Sequence, residues 1–241
     1  MGLTDGFMRM FGRQSRKPSG WFGKMVFGHL ATWGHRPLTD WAIGFINIQR
    51  TDHVLDIGCG GGMAIKLIAQ ITVEGFVAGI DYSEDMVQQA RKRNAAAVRA
   101  GRVEIRYSNV AALPYDDESF DKVISVEAFY FWPDPIANLQ EVRRVMKPGG
   151  LIALAMEGSK EAPNWQKLAA RAAQMGFPLY SGAEMVEMLT AAGFSRAWFE
   201  ALPENRTYSA KSTYWRIWVT APNKSSCGWR RSTSAVATLG P

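Results

Sequence analysis

Val54-Leu55-Asp56-Ile57-Gly58-Cys59-Gly60-Gly61-Gly62 is the stretch on which the reading of this chain turns. An apolar segment that suits a buried strand runs without a break into a turn made almost wholly of glycine, with a carboxylate two residues before the first of them. The residues that follow, roughly 62–71, carry helical apolar spacing. A strand, a glycine turn and a helix in that order let a ligand approach bare backbone N–H groups at a helix N-terminus.

The identity of that ligand is narrowed by elimination. A dinucleotide fingerprint G-x-G-x-x-G/A counted from Gly58 needs glycine or alanine at position 63, which is Met63; counted from Gly60 it ends on Ile65. A Walker loop needs Gly-Lys-Ser/Thr, and the turn has none. Asp56 would repel a pyrophosphate, but it attracts a ligand that carries an ammonium group and a sulfonium. S-adenosylmethionine is such a ligand.

Outward from this turn the chain alternates. Strand-like runs at 53–57, 76–80, 103–107, 121–126 and 151–156 are separated by helical patterns at roughly 62–71, 83–98 and 135–146. Ser83, followed by Glu84 and Asp85, reads as a helix start with acidic residues at its positive end. Lys147-Pro148-Gly149-Gly150 reads as a helix stop. Helices near 163–175 and 181–192 follow, then AWFEAL (197–202) and YWRIWVT (214–220) as late strands that finish the sheet. The βαβ rhythm and the two late strands predict an α/β fold, doubly wound around a mainly parallel seven-stranded sheet with helices on both faces.

Composition sets the outer limits. With 241 residues, 47% hydrophobic and 21% charged, the chain can bury one large core. No apolar run of eighteen residues and no secretory leader pattern is present, and the two cysteines, Cys59 and Cys227, make neither a disulfide framework nor a metal set. A cytoplasmic setting and no metal are the expectation. The net charge of +6 sits at the ends: residues 1–24 carry five basic groups against Asp5, residues 222–241 carry three basic groups, and the body is close to neutral at −1. Basic ends without a basic face do not mark a nucleic-acid binder. The expected units are a basic N-terminal segment (1–24, lid or disordered, and capable of lying as an amphipathic helix on a membrane surface or over a pocket), a main domain (25–221) and a disordered tail (222–241).

With these motifs in view, the chain resembles the class I, Rossmann-like S-adenosylmethionine-dependent methyltransferases of small-molecule type over roughly residues 30–220. The family's acidic-x-Gly-x-Gly-x-Gly motif is matched by Asp56, Gly58, Gly60 and Gly62, and its acid at the tip of the second strand by Asp81. Ser108-Asn109-Val110-Ala111-Ala112-Leu113-Pro114 stands for its third motif, with Asn109 in place of the usual Asp; SFDKVIS and EVRRVMKPGG complete the set. The resemblance implies an antiparallel last strand and an N-terminal helical lid. It also implies S-adenosylmethionine as cofactor, S-adenosylhomocysteine as product, Asp81 on the ribose hydroxyls, Tyr82 and Met86 flanking adenine, and Asn109 with Val110 at its edge. The amide oxygen of Asn109 still accepts from an exocyclic amine. Cys59 is assigned packing only.

The acceptor side is less sharply marked. Where many relatives carry histidine or asparagine with proline, this chain has Glu127-Ala128-Phe129-Tyr130-Phe131-Trp132-Pro133-Asp134, an acidic and aromatic lining. The segment Trp33–Trp41, with His35 before Leu38-Thr39-Asp40-Trp41, resembles a piece that folds over the cofactor in the branch sharing YFWPD. The candidate bases are therefore His35, Glu127 and Tyr130, in that order, with His29 near the same site. Three functions stay open: methylation of a small molecule, methylation of a protein or RNA, and non-catalytic binding of S-adenosylmethionine.

Overall fold

The computed structural model describes residues 3–27, 34–203 and 215–222. Its centre is a seven-stranded sheet of β1 (His53–Ile57), β2 (Phe76–Asp81), β3 (Val103–Tyr107), β4 (Phe120–Val126), β5 (Met146–Glu157), β6 (Trp198–Pro203) and β7 (Trp215–Pro222). The order across the sheet is β3-β2-β1-β4-β5-β7-β6. β1 to β5 are mutually parallel, and β7 runs antiparallel to both β5 and β6. Chain direction reverses its spread at β1 and β4, so the crevice beyond the carboxyl ends of these two strands is the natural ligand position.

Both faces of the sheet are covered, which is why the central β1 and β2 are buried on both sides and read as nearly unbroken apolar runs, whereas β3 at the edge alternates. Leu55, Ile57, Ile80 and Leu154 face α7 (Pro135–Val145) and α9 (Gly182–Ala191), packing on Leu139, Val142, Met185 and Leu189. Val54, Val77, Ile105 and Ala153 face α3 (Arg36–Phe45), α4 (Met63–Ile71) and α5 (Glu84–Arg93), packing on Leu38, Ile65, Ile68 and Val87.

Most helix ends follow local rules. Ser83 caps α5 as its sequence predicts, Asp134 with Pro135 starts α7, and Ser181 with Glu184 forms a capping box on α9. Two expectations need correction. The helix expected over 83–98 breaks at Asn94 into α5 and α6 (Ala95–Arg99), because the Asn94 amide turns inward to donate to the carbonyls of Gly62 and Ala90. The helix stops just before Lys147–Gly150 as expected, but the strand expected over 151–156 begins earlier, at Met146, which pairs with Phe120 ahead of a register shift. Residues 36–45, to which the sequence assigned no element, form α3, with Pro37 in the first turn and Leu38, Thr39, Ala42 and Ile43 on the buried face.

The N-terminal segment forms α1 (Leu3–Arg16) and α2 (Gly20–Met25). It is fastened to two distant places. The Ser83 hydroxyl donates to the Pro18 carbonyl, and Asp85 accepts from the Gly20 N–H at 2.7 Å and pairs with Lys24 at 2.9 Å. At the other end, α1 lies against α8 (Trp165–Met175) so closely that a Cβ on Gly12 would overlap the Met175 carbonyl, and Arg16 donates to the Gly176 carbonyl. The expected tail beyond residue 222 lies outside the described residues, as does His29.

One glycine ties the turn after β1 to this frame. Gly62 has a φ of +76°, and a Cβ there would come within 2.8 Å of Ala90 Cβ and 2.7 Å of Asn94 Nδ2. Gly101 shares the positive φ but faces open space. Gly62→Ala is expected to lose about 2–4 kcal/mol by urea unfolding, strain and overlap together, against about 1 kcal/mol for Gly101→Ala. Equal losses would mean that the packing on α5 carries no weight.

Candidate active site

The turn after β1 is pinned before it meets any ligand. The N–H groups of Gly58 and Cys59 both donate to the Ile80 carbonyl, at 2.9 and 3.0 Å, which draws the glycine turn against the end of β2. Gly58, at a φ of +76°, could not carry a side chain, since its Cβ would sit 2.4 Å from that of Ala128 at the β4 tip. Gly60 then donates to Asp81 Oδ2 at 2.9 Å, while Ser83 N–H donates to Asp81 Oδ1 at 2.8 Å. Each carboxylate oxygen of Asp81 keeps a further lone pair for a ligand.

Asp56 and Asp81 together make the site electrostatically unusual. Both are buried, at 2% and 8% exposure, and Asp56 Oδ2 has no hydrogen-bond partner. Burial, and then the charge of Asp81, push Asp56 up to about 8. Burial likewise raises Asp81, opposed by the N–H groups of Ser83 and Gly60. A buried carboxylate oxygen without a partner is an expensive group to keep unless something cationic or donating arrives to meet it. Cys59 has a different character: burial and the two acids hold its thiol protonated, so it packs and does not react.

The tips of β2 and β3 supply the flanking groups. Met86 and Val110 are buried and line the same cavity. Tyr82 lines it too, with a hydroxyl that has no partner and a pKa pushed up to about 12 by burial. Lys17 Nζ lies 5.7 Å from the Tyr82 ring centre and 5.8 Å from that of Tyr107, so the N-terminal segment reaches this edge. Asn109 lines the cavity, but its amide oxygen already accepts from Ala111 N–H at 3.1 Å inside its own turn. Gly62 stands apart: it does not line the cavity and instead seats α4 against α5.

Beyond β4 the chain makes a second polar cluster. Glu127 has a φ of +57°, a backbone state costly for a non-glycine residue, and is held by its N–H bond to Ala155 (2.8 Å). Its carboxylate accepts from the Tyr130 hydroxyl at 2.9 Å and from the Glu157 N–H. Burial raises the Glu127 pKa, the charge of His35 lowers it, and Glu157 raises it. Tyr130 is driven well above its ordinary value by burial and by Glu127, so it stays a protonated donor. His35, at the start of α3, lines the cavity on this side. Of the four aromatic residues after Ala128, Phe129 is core, Trp132 is nearly so, and Tyr130 and Phe131 turn to the cavity.

His35, Asp56, Gly58, Gly60, Asp81, Tyr82, Met86, Asn109, Val110, Glu127 and Tyr130 all line one cavity of about 670 Å³, and Gly62 does not; that volume is within the range that holds a cofactor-sized ligand. The cavity's roof is formed by Phe11 and Arg16 of the basic N-terminal segment, which the sequence allowed to lie over a pocket, together with Phe27 and Phe177, which no motif marked. S-adenosylmethionine fits the donor set, since its ammonium and sulfonium answer the unpartnered Asp56 oxygen, and the free lone pairs of Asp81 suit a ribose diol. Among the described residues no group of three or more His, Cys, Asp or Glu is placed to hold a metal, and no helix is long and apolar enough to cross a membrane.

Comparison with known proteins points the same way. Residues 55–154 match the family model described as a methyltransferase domain. The chain is 32% identical over 155 residues to the O-methyltransferase resE of Aspergillus sclerotiorum, a match covering 64% of this chain and 58% of that protein. It is 38% identical over 118 residues to 27-O-demethylrifamycin SV methyltransferase of Amycolatopsis mediterranei, covering 48% and 43%. The chain thus spans about half the length of these curated relatives. Its fold matches a chain from the complex of the Haloferax volcanii Trm112 methyltransferase activator with a methyltransferase, at a TM-score of 0.66 and 23% identity over 83% of this chain and 94% of that one. Residues 55–154 are thus a methyltransferase domain, and the chain has the Rossmann-like α/β fold of its solved neighbours. The cofactor of that domain is S-adenosylmethionine.

The raised Asp56 pKa has a stability consequence whose sign is fixed. Between about 4 and 8 the folded protein holds a proton on Asp56 that the unfolded chain has lost, so stability falls as pH rises through this window. Asp56→Asn removes that slope. Its Tm relative to wild type is expected to climb from pH 5 to pH 8, while its affinity for S-adenosylmethionine drops about tenfold or more; parallel Tm profiles would contradict the assignment.

Proposed function

We propose that the protein transfers the methyl group of S-adenosylmethionine to a small-molecule acceptor by in-line displacement, leaving S-adenosylhomocysteine. The observation that carries this reading is the roof: Phe11, Ser15 and Arg16 of α1 line the cavity, and Arg16 and Pro18 fasten this segment to Gly176 and Ser83, so the chain itself covers one side of the acceptor's place. A relative named for demethylrifamycin points to the same class. Protein or RNA as acceptor would rely on the basic ends, and would make binding fall steeply with added salt.

The bound cofactor supplies an electrophilic methyl carbon on a sulfonium. In this reading Asp81 takes the ribose, Asp56 faces the cationic end through the glycine turn, Tyr82 and Met86 bracket adenine, and Asn109 and Val110 close its edge, with Asn109 limited to the one lone pair its own turn leaves. The chain's remaining contribution is to hold the acceptor dry and in line, which carries much of the acceleration in such transfers. His35 takes the proton of an acceptor that must lose one; Glu127 stabilises the resulting imidazolium; and the Tyr130 hydroxyl, always protonated, fixes the Glu127 carboxylate. Tyr130 is thus a positioning residue rather than a base.

An acceptor screen with detection of S-adenosylhomocysteine tests the reading directly. On a turned-over acceptor, His35→Ala and Glu127→Gln are each expected to lower turnover by about 10²-fold and Tyr130→Phe by about tenfold, with cofactor affinity changed less than about twofold. Loss of cofactor binding without a turnover effect on saturating cofactor would assign these residues to binding instead.

A further inference from the structure

The reading above leaves the acceptor's chemistry open, and the half of the cavity beyond β4 constrains it. Once Asp56, Asp81 and the tips of β2 and β3 are given to the cofactor, the space on the opposite side of β1 is walled by Tyr130, Phe131 and Phe177 below and by Phe11 and Phe27 above. These rings are fixed by one another. Tyr130 stacks on Phe177 with centroids 4.8 Å apart and planes 25° apart, and Phe131 stands edge-on to both, at 4.5 and 5.4 Å. Phe11 and Phe27 form a second tilted pair at 5.2 Å on the roof.

Two acceptor types use aromatic walls, and the geometry separates them. A cage for an ammonium needs several ring faces turned to one empty centre. Here Tyr130 and Phe177 each turn one face to the other rather than to a common centre, and Phe131 already has a cation over it, the Arg16 guanidinium carbon 5.9 Å from its centre. Arg16 is held in that position by its bond to the Gly176 carbonyl, 3.3 Å away. A second cation would meet this charge, whereas an oxyanion would be favoured by it. Flat rings set edge to face are the surroundings that another flat ring prefers. The proton-accepting groups on this side are few, with His35 and Glu127 at one end of the apolar walls, which suits a molecule with an ionisable group on one edge and an apolar body.

From this juxtaposition we propose that the acceptor is a phenol-type aromatic hydroxy compound, its ring held between the Phe11–Phe27 pair and the Tyr130–Phe131–Phe177 cluster and its hydroxyl turned to His35 and Glu127. The proposal rests on the methyltransferase reading and deepens it. In the reaction the phenolic oxygen forms a bond to the methyl carbon as the carbon–sulfur bond breaks; that electron pair stays on sulfur, giving the thioether product, and the phenolic proton passes to His35.

The test uses the full chain with S-adenosylmethionine and four probes: 2-naphthol, cyclohexanol, benzylamine and sarcosine, each read by release of S-adenosylhomocysteine. 2-Naphthol is expected to be methylated at least about tenfold faster at limiting concentration than any of the others. Phe177→Leu keeps an apolar side chain and is expected to raise KM for 2-naphthol about fivefold, the loss of one aromatic pair, with kcat and cofactor affinity little changed. Phe11→Leu, on the roof, is expected to do the same without disturbing the lower cluster. Methylation of benzylamine, sarcosine or cyclohexanol in preference to 2-naphthol, or an unchanged KM in both Leu variants, would overturn the acceptor class while leaving a methyltransferase. Absence of S-adenosylmethionine binding by calorimetry, or binding without product from any probe, would overturn the acceptor class and the methyl-transfer reading together.

Discussion

The site depends on one constraint: two carboxylates, Asp56 and Asp81, are kept buried on either side of a glycine turn that gives them too few partners. Asp81 is satisfied in part by the Gly60 and Ser83 N–H groups, but Asp56 Oδ2 is not satisfied at all. The fold tolerates this because β1 and β2 are locked in register, Asp56 beside Gly79 and Ile57 beside Ile80, and because Gly58 and Cys59 both hang from the Ile80 carbonyl. Asp56 is protonated in the free site, and a pyrophosphate, which brings only negative charge, would hold it so. A ligand with an ammonium and a sulfonium favours its ionised form, so the selectivity between cofactors comes from the charge that such a ligand draws out of Asp56.

The same turn connects the cofactor side with the rest of the molecule. Asn94 reaches from the end of α5 to the Gly62 carbonyl, Arg93 donates to the Gly61 carbonyl, and Ser83 at the start of α5 holds the N-terminal segment through Pro18. Helix α5 is therefore braced at both ends, one against the glycine turn and one against the roof. Glu127, across the cavity, is braced by β5 through the Ala155 carbonyl and the Glu157 N–H. Its left-handed backbone is the local cost of aiming a carboxylate into the cavity from the end of a strand.

What the sequence made legible was local. β1 and β2 are buried on both faces and appear as bounded apolar runs, β3 at the edge of the sheet shows as an alternating run, and the glycine turn, Asp81 and the Ser83 cap follow from spacing alone. Contacts between distant parts of the chain left no such trace. Nothing near Pro18 or Gly20 announces that they bind Ser83 and Asp85, 65 residues away in each case. The roof residues Phe11 and Phe27 thus read as parts of a basic end, and Phe177 as a residue after a helix. α3 went unseen because its ten residues hold Pro37 and Gly44 and only a short apolar stripe. Asn109 reads in the sequence as an acceptor for adenine, and nothing in its neighbours announces that its own turn already uses that oxygen.

The central claim, that an Asp56 carboxyl held near neutrality by burial is made anionic by a cationic cofactor, can be read from one titration. Calorimetry of S-adenosylmethionine binding at pH 7, in two buffers of different ionisation enthalpy, measures the protons exchanged. Because Asp56 sits at about 8 in the free protein, binding is predicted to release about one proton, and to release none in the Asp56→Asn variant. Binding with the same enthalpy in both buffers, or release that survives the substitution, would contradict the account.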